Sequence, residues 1–97
     1  MSTTLNALSL PAGATFTTRN GVTYSVNTAL QTVASNANDA RELCASGNFE
    51  PAAKSGTTSQ RPTDTWPGRG FFDTSLQQFI TRNAIDTAWL GASGNVV

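Results

Sequence analysis

The stretch Ala14-Thr-Phe16-Thr-Thr-Arg19-Asn20-Gly21-Val22-Thr-Tyr24-Ser-Val26 decides the first half of the fold. Asn20-Gly21 stands between two alternating runs, which is a hairpin signal. Loop length can be tested against side-chain pattern. A two-residue loop places Phe16 opposite Ser25 and Tyr24 opposite Thr17, so the two rings fall on different faces. A three-residue loop, Arg19-Asn20-Gly21, pairs Thr18 with Val22, Phe16 with Tyr24 and Ala14 with Val26. Every large apolar side chain then shares one face. A slip of one residue exchanges the faces of a strand, so burial selects the three-residue loop, with Gly21 left-handed at a bulge. The opposite face carries Thr15, Thr17, Thr23 and Ser25.

Working outward, residues 28–34 read as a third strand. Asp39 with Glu42 has capping-box spacing for a helix start, with Asn38 as the alternative cap. Ala40, Leu43 and Cys44 form one apolar stripe, Gly47 is a natural residue just past the helix end, and Phe49 can supply a contact beside it. A helix this short must dock on a sheet. Before the hairpin, residues 1–13 are hydroxyl-rich and end in Pro11 and Gly13, which predicts an extended arm. After the helix, residues 51–70 hold Pro51, Gly56, Pro62, Pro67, Gly68 and Gly70 and read as a linker in which Trp66 is anchored. Residues 71–97 read as a small meander, with strands at 71–73, 78–82 and 87–90 and turns at 74–77 and 83–86. Trp66, Phe71, Phe72, Phe79 and Trp89 cluster toward this end, as a mini-core, an interface, or both. The predicted class is α+β, mostly β: arm 1–13, hairpin-strand-helix unit 14–50, linker 51–70, meander 71–97.

Composition narrows the chemistry. The 97 residues carry six basic and six acidic side chains, no His and one Cys. The balanced charge offers no general pull on nucleic acid or on an anionic membrane. Without His the usual neutral-pH acid/base is missing, and one thiol makes neither an intrachain disulfide nor a thiolate zinc site. No apolar run reaches a membrane-span length, and residues 1–10 do not read as a signal peptide. Asp64, Asp73 and Asp86 fall where turns are expected and are read as turn residues rather than paired acid/base groups. Gly68-Arg69-Gly70 lacks the pattern of a phosphate loop, and Gly91-Ala92-Ser93-Gly94 that of a nucleophile elbow. Cys44 reads as a small core residue. Arg61, Arg69 and Arg82, beside aromatics, are expected in inter-subunit salt bridges or solvated turns. No catalytic, cofactor-binding or metal-binding residue is predicted, and the chain is read as a non-enzyme.

Two segments together resemble small structural virion proteins of tailed bacteriophages. The first is Gly21-Val-Thr-Tyr24, a strand, then Asp39-Ala40-Arg-Glu-Leu43-Cys-Ala-Ser-Gly47-Asn48-Phe49. It is similar to a Gly-x-x-Tyr strand followed by Asp-Ala-x-x-Leu-x-x-x-Gly-Phe, with Asn48 as an extra residue. The second is Gly56-Thr-Thr-Ser-Gln-Arg61-Pro62-Thr63, then Phe71-Phe72-Asp73-Thr74-Ser-Leu76, then Trp89. It resembles an attachment module of phage fibre, tail and head proteins. The chain departs from that module at Gln77-Gln78-Phe79-Ile80, where Gly-Lys-Pro-Ile is usual, and at Arg82-Asn83-Ala84, where Trp-Asn-Gly is usual. The resemblance implies a decoration or cement protein on the capsid surface, made in the host cytoplasm. Its implied partners are the major capsid protein and copies of itself, in a homotrimer by analogy with capsid symmetry, and neither nucleic acid nor membrane. Contact is then expected through the arm, the Thr face of the hairpin and residues 61–66. A head-fibre or tail-fibre module that stacks a glycan on Trp66, Trp89 and Tyr24 is the alternative.

Overall fold

The computed structural model describes residues 2–97. The chain is mostly β with one short helix and divides into two compact units between Ala52 and Ala53.

In unit 1 the hairpin forms in the expected register. Strands β2 (Thr15–Thr17) and β3 (Thr23–Ser25) pair Thr15 with Ser25, Phe16 with Tyr24 and Thr17 with Thr23. Thr18 N–H donates to the Val22 carbonyl at 2.9 Å and Gly21 N–H closes on the Thr18 carbonyl at 2.9 Å, with Gly21 at φ +83°. Tyr24 and Val26 are buried, while Thr15, Thr17, Thr23 and Ser25 lie in solvent.

The predicted arm is corrected by the structure. Thr3–Ala7 is strand β1, the middle strand of a sheet ordered β4-β1-β5, flanked by β4 (Gln31–Ala34) and β5 (Phe49–Pro51). Thr3 and Leu5 point inward and Thr4 outward. That is a period-two pattern, but a threonine serves as one of its buried positions, so hydropathy does not reveal it. Met1 of the predicted arm lies outside the described residues. The predicted third strand shortens to β4 and pairs with β1 rather than with the hairpin.

Helix α1 (Ala37–Ala45) starts one turn earlier than expected. Asn36 is the cap: its backbone is extended and its Oδ1 accepts from Asp39 N–H at 2.9 Å. Ala40 and Leu43 are buried and Cys44 is half-buried. Gly47 follows at φ +81°, donating its N–H to the Cys44 carbonyl at 3.1 Å. Phe49 meets Phe16 edge-to-face, with centroids 6.5 Å apart.

Unit 2, Ala53–Val97, absorbs the predicted linker. Its sheet is ordered β6-β7-β8-β9: β6 (Ser55–Gly56), β7 (Gly70–Asp73), β8 (Gln78–Arg82) and β9 (Trp89–Leu90). A 3-10 turn spans Thr58–Gln60. The β7–β8 register pairs Phe71 with Ile80 and Phe72 with Phe79. Strand alternation therefore splits the aromatics: Phe71, Ile80 and Trp89 make the core cluster, while Phe72 and Phe79 face solvent. The segment 61–69 stays in place without regular structure because Arg69 ties it down. That guanidinium is buried, donates to the Asp64 carbonyl oxygen and to the Ala53 carbonyl (3.1 Å), pairs with the Asp64 carboxylate at 3.2 Å and lies 4.8 Å from the Trp66 ring centroid.

Gly21 tests the register. A Cβ there meets nothing within 4 Å, so a substitution feels only the backbone conformation. Gly21→Val is expected to lose about 1–2 kcal/mol, and Gly21→Asn clearly less, in chemical denaturation. Equal losses would exclude the left-handed bulge.

Candidate functional site

Two carboxylates are fully buried, and each organises its unit. In unit 1, Asp39 sits in the first turn of α1. Its Oδ2 accepts from the Tyr24 hydroxyl at 2.6 Å and from Asn36 Nδ2 at 3.3 Å. The Tyr24 oxygen in turn accepts from Ser35 N–H at 3.1 Å and contacts Ser35 Oγ at 2.8 Å. The hairpin, the β4 end and the helix start are thus joined at one phenol. Sequence reading gave Asp39 the wrong partner. Asn36 performs the capping, and Glu42 accepts the Arg19 N–H of the hairpin tip at 3.1 and 3.2 Å instead of closing a box on Asp39. The signal that could have found this is a tyrosine on the buried hairpin face, which needs a partner for its hydroxyl.

In unit 2, Asp73 is 0% exposed at the end of β7. Oδ2 accepts from Arg61 Nε at 2.9 Å, Arg61 Nη2 at 2.8 Å and Thr58 Oγ1 at 2.9 Å. Oδ1 accepts from the N–H groups of Ser75 at 2.9 Å and Leu76 at 3.1 Å. Arg61 continues through Nη1 to the Val97 carbonyl oxygen at 2.8 Å. Burial pushes the Asp73 pKa up, but the hydrogen bonds from Arg61, the Leu76 amide and Thr58, with the Arg61 charge, outweigh it and hold the carboxyl below its ordinary value. A carboxylate so enclosed and so fully bonded has no oxygen to offer a substrate, so its role is to hold the β7–β8 turn and the 58–61 segment together.

The turn reading of the three aspartates is therefore incomplete. Asp73 does cap its turn, but each aspartate also pairs with an arginine: Asp73 with Arg61, Asp64 with Arg69, and Asp86 with Arg82 at 2.8 Å. The expectation of inter-subunit or solvated arginines is corrected on this point. Arg82 also lies 5.3 Å from the Trp89 ring centroid. Burying the aromatic stems draws the guanidinium groups inward, and the carboxylates follow.

The predicted contact residues separate clearly. The hairpin Thr face is exposed, whereas residues 61–66 include a half-buried Arg61 and a buried Trp66. Trp66, Trp89 and Tyr24, the rings expected to stack a glycan, are all buried and present no platform. Apolar side chains lie in solvent instead; of these, Phe72 and Phe79 belong to the aromatic cluster noted in the sequence, whereas Leu8 and Leu30 carry no local signal. Leu8 (53% exposed) follows β1 and Leu30 (48%) precedes β4, at the same end of the sheet, where Ala7 N–H donates to the Leu30 carbonyl at 2.8 Å. Leu30 holds φ +61°, a conformation that favours glycine or asparagine. Phe72 (41%) and Phe79 (56%) are exposed side by side on unit 2.

No family model, curated protein or solved structure matches the chain.

The Asp73 cluster has a pH signature. Because the folded carboxyl pKa is lowered, its stabilisation is complete above the unfolded-chain value of about 3.9 and fades as the pH falls from there through the folded value. Acid titration of the melting temperature is expected to show this limb in the native chain. In Asp73→Asn the melting temperature is lower at neutral pH and the limb is flattened. An unchanged limb would assign the acid sensitivity to another group.

Proposed function

We propose that the chain is a structural virion protein of a tailed phage, a decoration or cement protein that binds the assembled shell and stabilises it through many weak contacts. The resemblance behind this reading rests on residues that matter physically. Thr58, Arg61, Asp73, Ser75 and Leu76, from the two halves of the second motif, meet at one carboxylate. The spacing of that motif is thus a requirement for folding unit 2, which supports reading it as a module.

The observation that carries the reading is Leu30. A leucine held at positive φ with half its side chain in solvent gives the isolated fold nothing that asparagine or glycine would not give at lower cost. That leaves the exposed part of its side chain available to something outside the chain. Leu8 stands at the same end of the sheet, and the hydroxyl face of the hairpin adds uncharged polar surface. Small apolar and hydroxyl contacts of this kind are weak singly. Repeated over a shell of capsid subunits, they sum through high effective concentration. The major capsid protein is the partner this implies.

Purified particles of the phage that encodes the chain are expected to contain it at the copy number of the capsid subunits or a simple fraction of it. A few copies confined to the tail would reject the proposal. Leu30→Asn separates fold from function: it is expected to raise stability by about 0.5–1 kcal/mol by relieving the backbone, while occupancy of undecorated shells falls. A variant that is more stable and equally well bound would remove Leu30 from the contact.

A further inference from the structure

Asn20 and Gly21 stand at the tip of the hairpin, both exposed. Asn20 is the only asparagine of the chain that is followed by glycine. A side chain on the following residue shields that residue's amide nitrogen, and glycine has none. The Asn20 side chain is also unengaged: among the described residues nothing hydrogen-bonds to it. Asn6, Asn27, Asn36 and Asn83, by contrast, each accept through Oδ1. Their donors are Gln31 Nε2, the Ala29 and Gln31 N–H groups, Asp39 N–H and Thr87 N–H respectively. A Cβ on Gly21 would meet nothing within 4 Å, so the space beside the peptide is open. One contact opposes reaction here. The Gly21 N–H donates to the Thr18 carbonyl at 2.9 Å, which keeps that nitrogen engaged.

We propose that Asn20-Gly21 is a site of deamidation in the folded chain, gated by opening of the Thr18–Gly21 hydrogen bond. Once released, the Gly21 nitrogen gives its proton to a solvent base and attacks the Asn20 side-chain carbonyl carbon. The new C–N bond closes a cyclic imide. The bond from that carbon to the side-chain NH2 group breaks, and this nitrogen takes up a proton and leaves as ammonia. Water then opens the imide. Attack at the side-chain carbonyl restores the ordinary peptide and leaves aspartate. Attack at the main-chain carbonyl leaves isoaspartate, with the backbone routed through Cβ. No electrons are exchanged, and water is the co-reactant.

Both products place a carboxylate beside the amide that holds the tip. Glu42 of α1 accepts the Arg19 N–H with both oxygens, at 3.1 and 3.2 Å. A second negative charge one residue away repels Glu42. Isoaspartate goes further, because an added main-chain carbon between residues 20 and 21 disrupts the Thr18–Gly21 closure of the three-residue loop. The modification therefore releases the hairpin tip from the helix, and its rate reports how often the tip opens. The inference rests on the tip alone and is independent of the proposed shell binding.

The test follows the full chain at mildly alkaline pH by peptide mapping with fragmentation. Deamidation is read as a gain of about 1 Da at the modified residue, and aspartate is separated from isoaspartate by chromatography. The expected result is that residue 20 gains mass before any other asparagine, with isoaspartate among the products, and that Asn20→Gln abolishes this early gain. The folded chain is expected to react more slowly than the chain in urea, by at least the protection factor of the Gly21 amide in hydrogen exchange. Any other asparagine reacting first, or no gain at residue 20, overturns the assignment. A folded rate equal to the rate in urea overturns the gate. Asn20→Asp supplies the charge without the altered backbone. It is expected to lower the melting temperature at low salt, and to lower it less in a Glu42→Gln background. An equal loss in both backgrounds overturns Glu42 as the group affected.

Discussion

A carboxylate taken out of water must be surrounded by donors, and the path of the chain in each unit follows from that requirement. Asp73 collects Arg61, Thr58 and the amides of Ser75 and Leu76, so a segment rich in proline and glycine is pinned to a tight β turn. Asp39 collects the Tyr24 hydroxyl and the Asn36 amide, so the hairpin, the β4 end and the helix start meet at one point. A chain of this size with few large apolar residues buries little hydrophobic surface in each unit. Hydrogen bonds converging on these buried carboxylates supply part of the uniqueness that a larger core would otherwise provide.

That arrangement also shapes the surface. With Arg61, Arg69 and Arg82 each drawn to an aspartate, unit 2 carries much of its charge in pairs close to its own core. The sheet face left bare is aromatic and uncharged. In unit 1 an exposed leucine is kept in a backbone conformation that leucine disfavours. Both features leave apolar surface in solvent.

Much of the local structure was legible in advance. The three-residue loop followed from the requirement that Phe16, Tyr24 and Val26 share a face, and the strands at 71–73 and 78–82 followed from alternation and turn residues. The helix was legible in its apolar stripe but not in its cap, because Asn36, Asn38 and Asp39 are all competent caps and the backbone geometry at Asn36 selects among them. The arm was misread because Thr3 occupies an interior position. A threonine on a strand is equally at home inside or out, and only the neighbours β4 and β5 decide. The glycan platforms of the alternative reading were misread for a related reason: Trp66, Trp89 and Tyr24 look like exposed rings until tertiary structure buries them.

Sequence by itself determined the elements whose signal is local: the Asn20-Gly21 turn, the period-two aromatic strands and the Gly47 stop. Tertiary structure alone decided that β1 is a central strand, that the apparent linker belongs to a folded unit, that each aspartate of the second half pairs with an arginine, and that Phe72, Phe79 and Leu30 face outward. Those outcomes depend on which segments distant along the chain come together, and side-chain pattern within one segment carries no record of its partner.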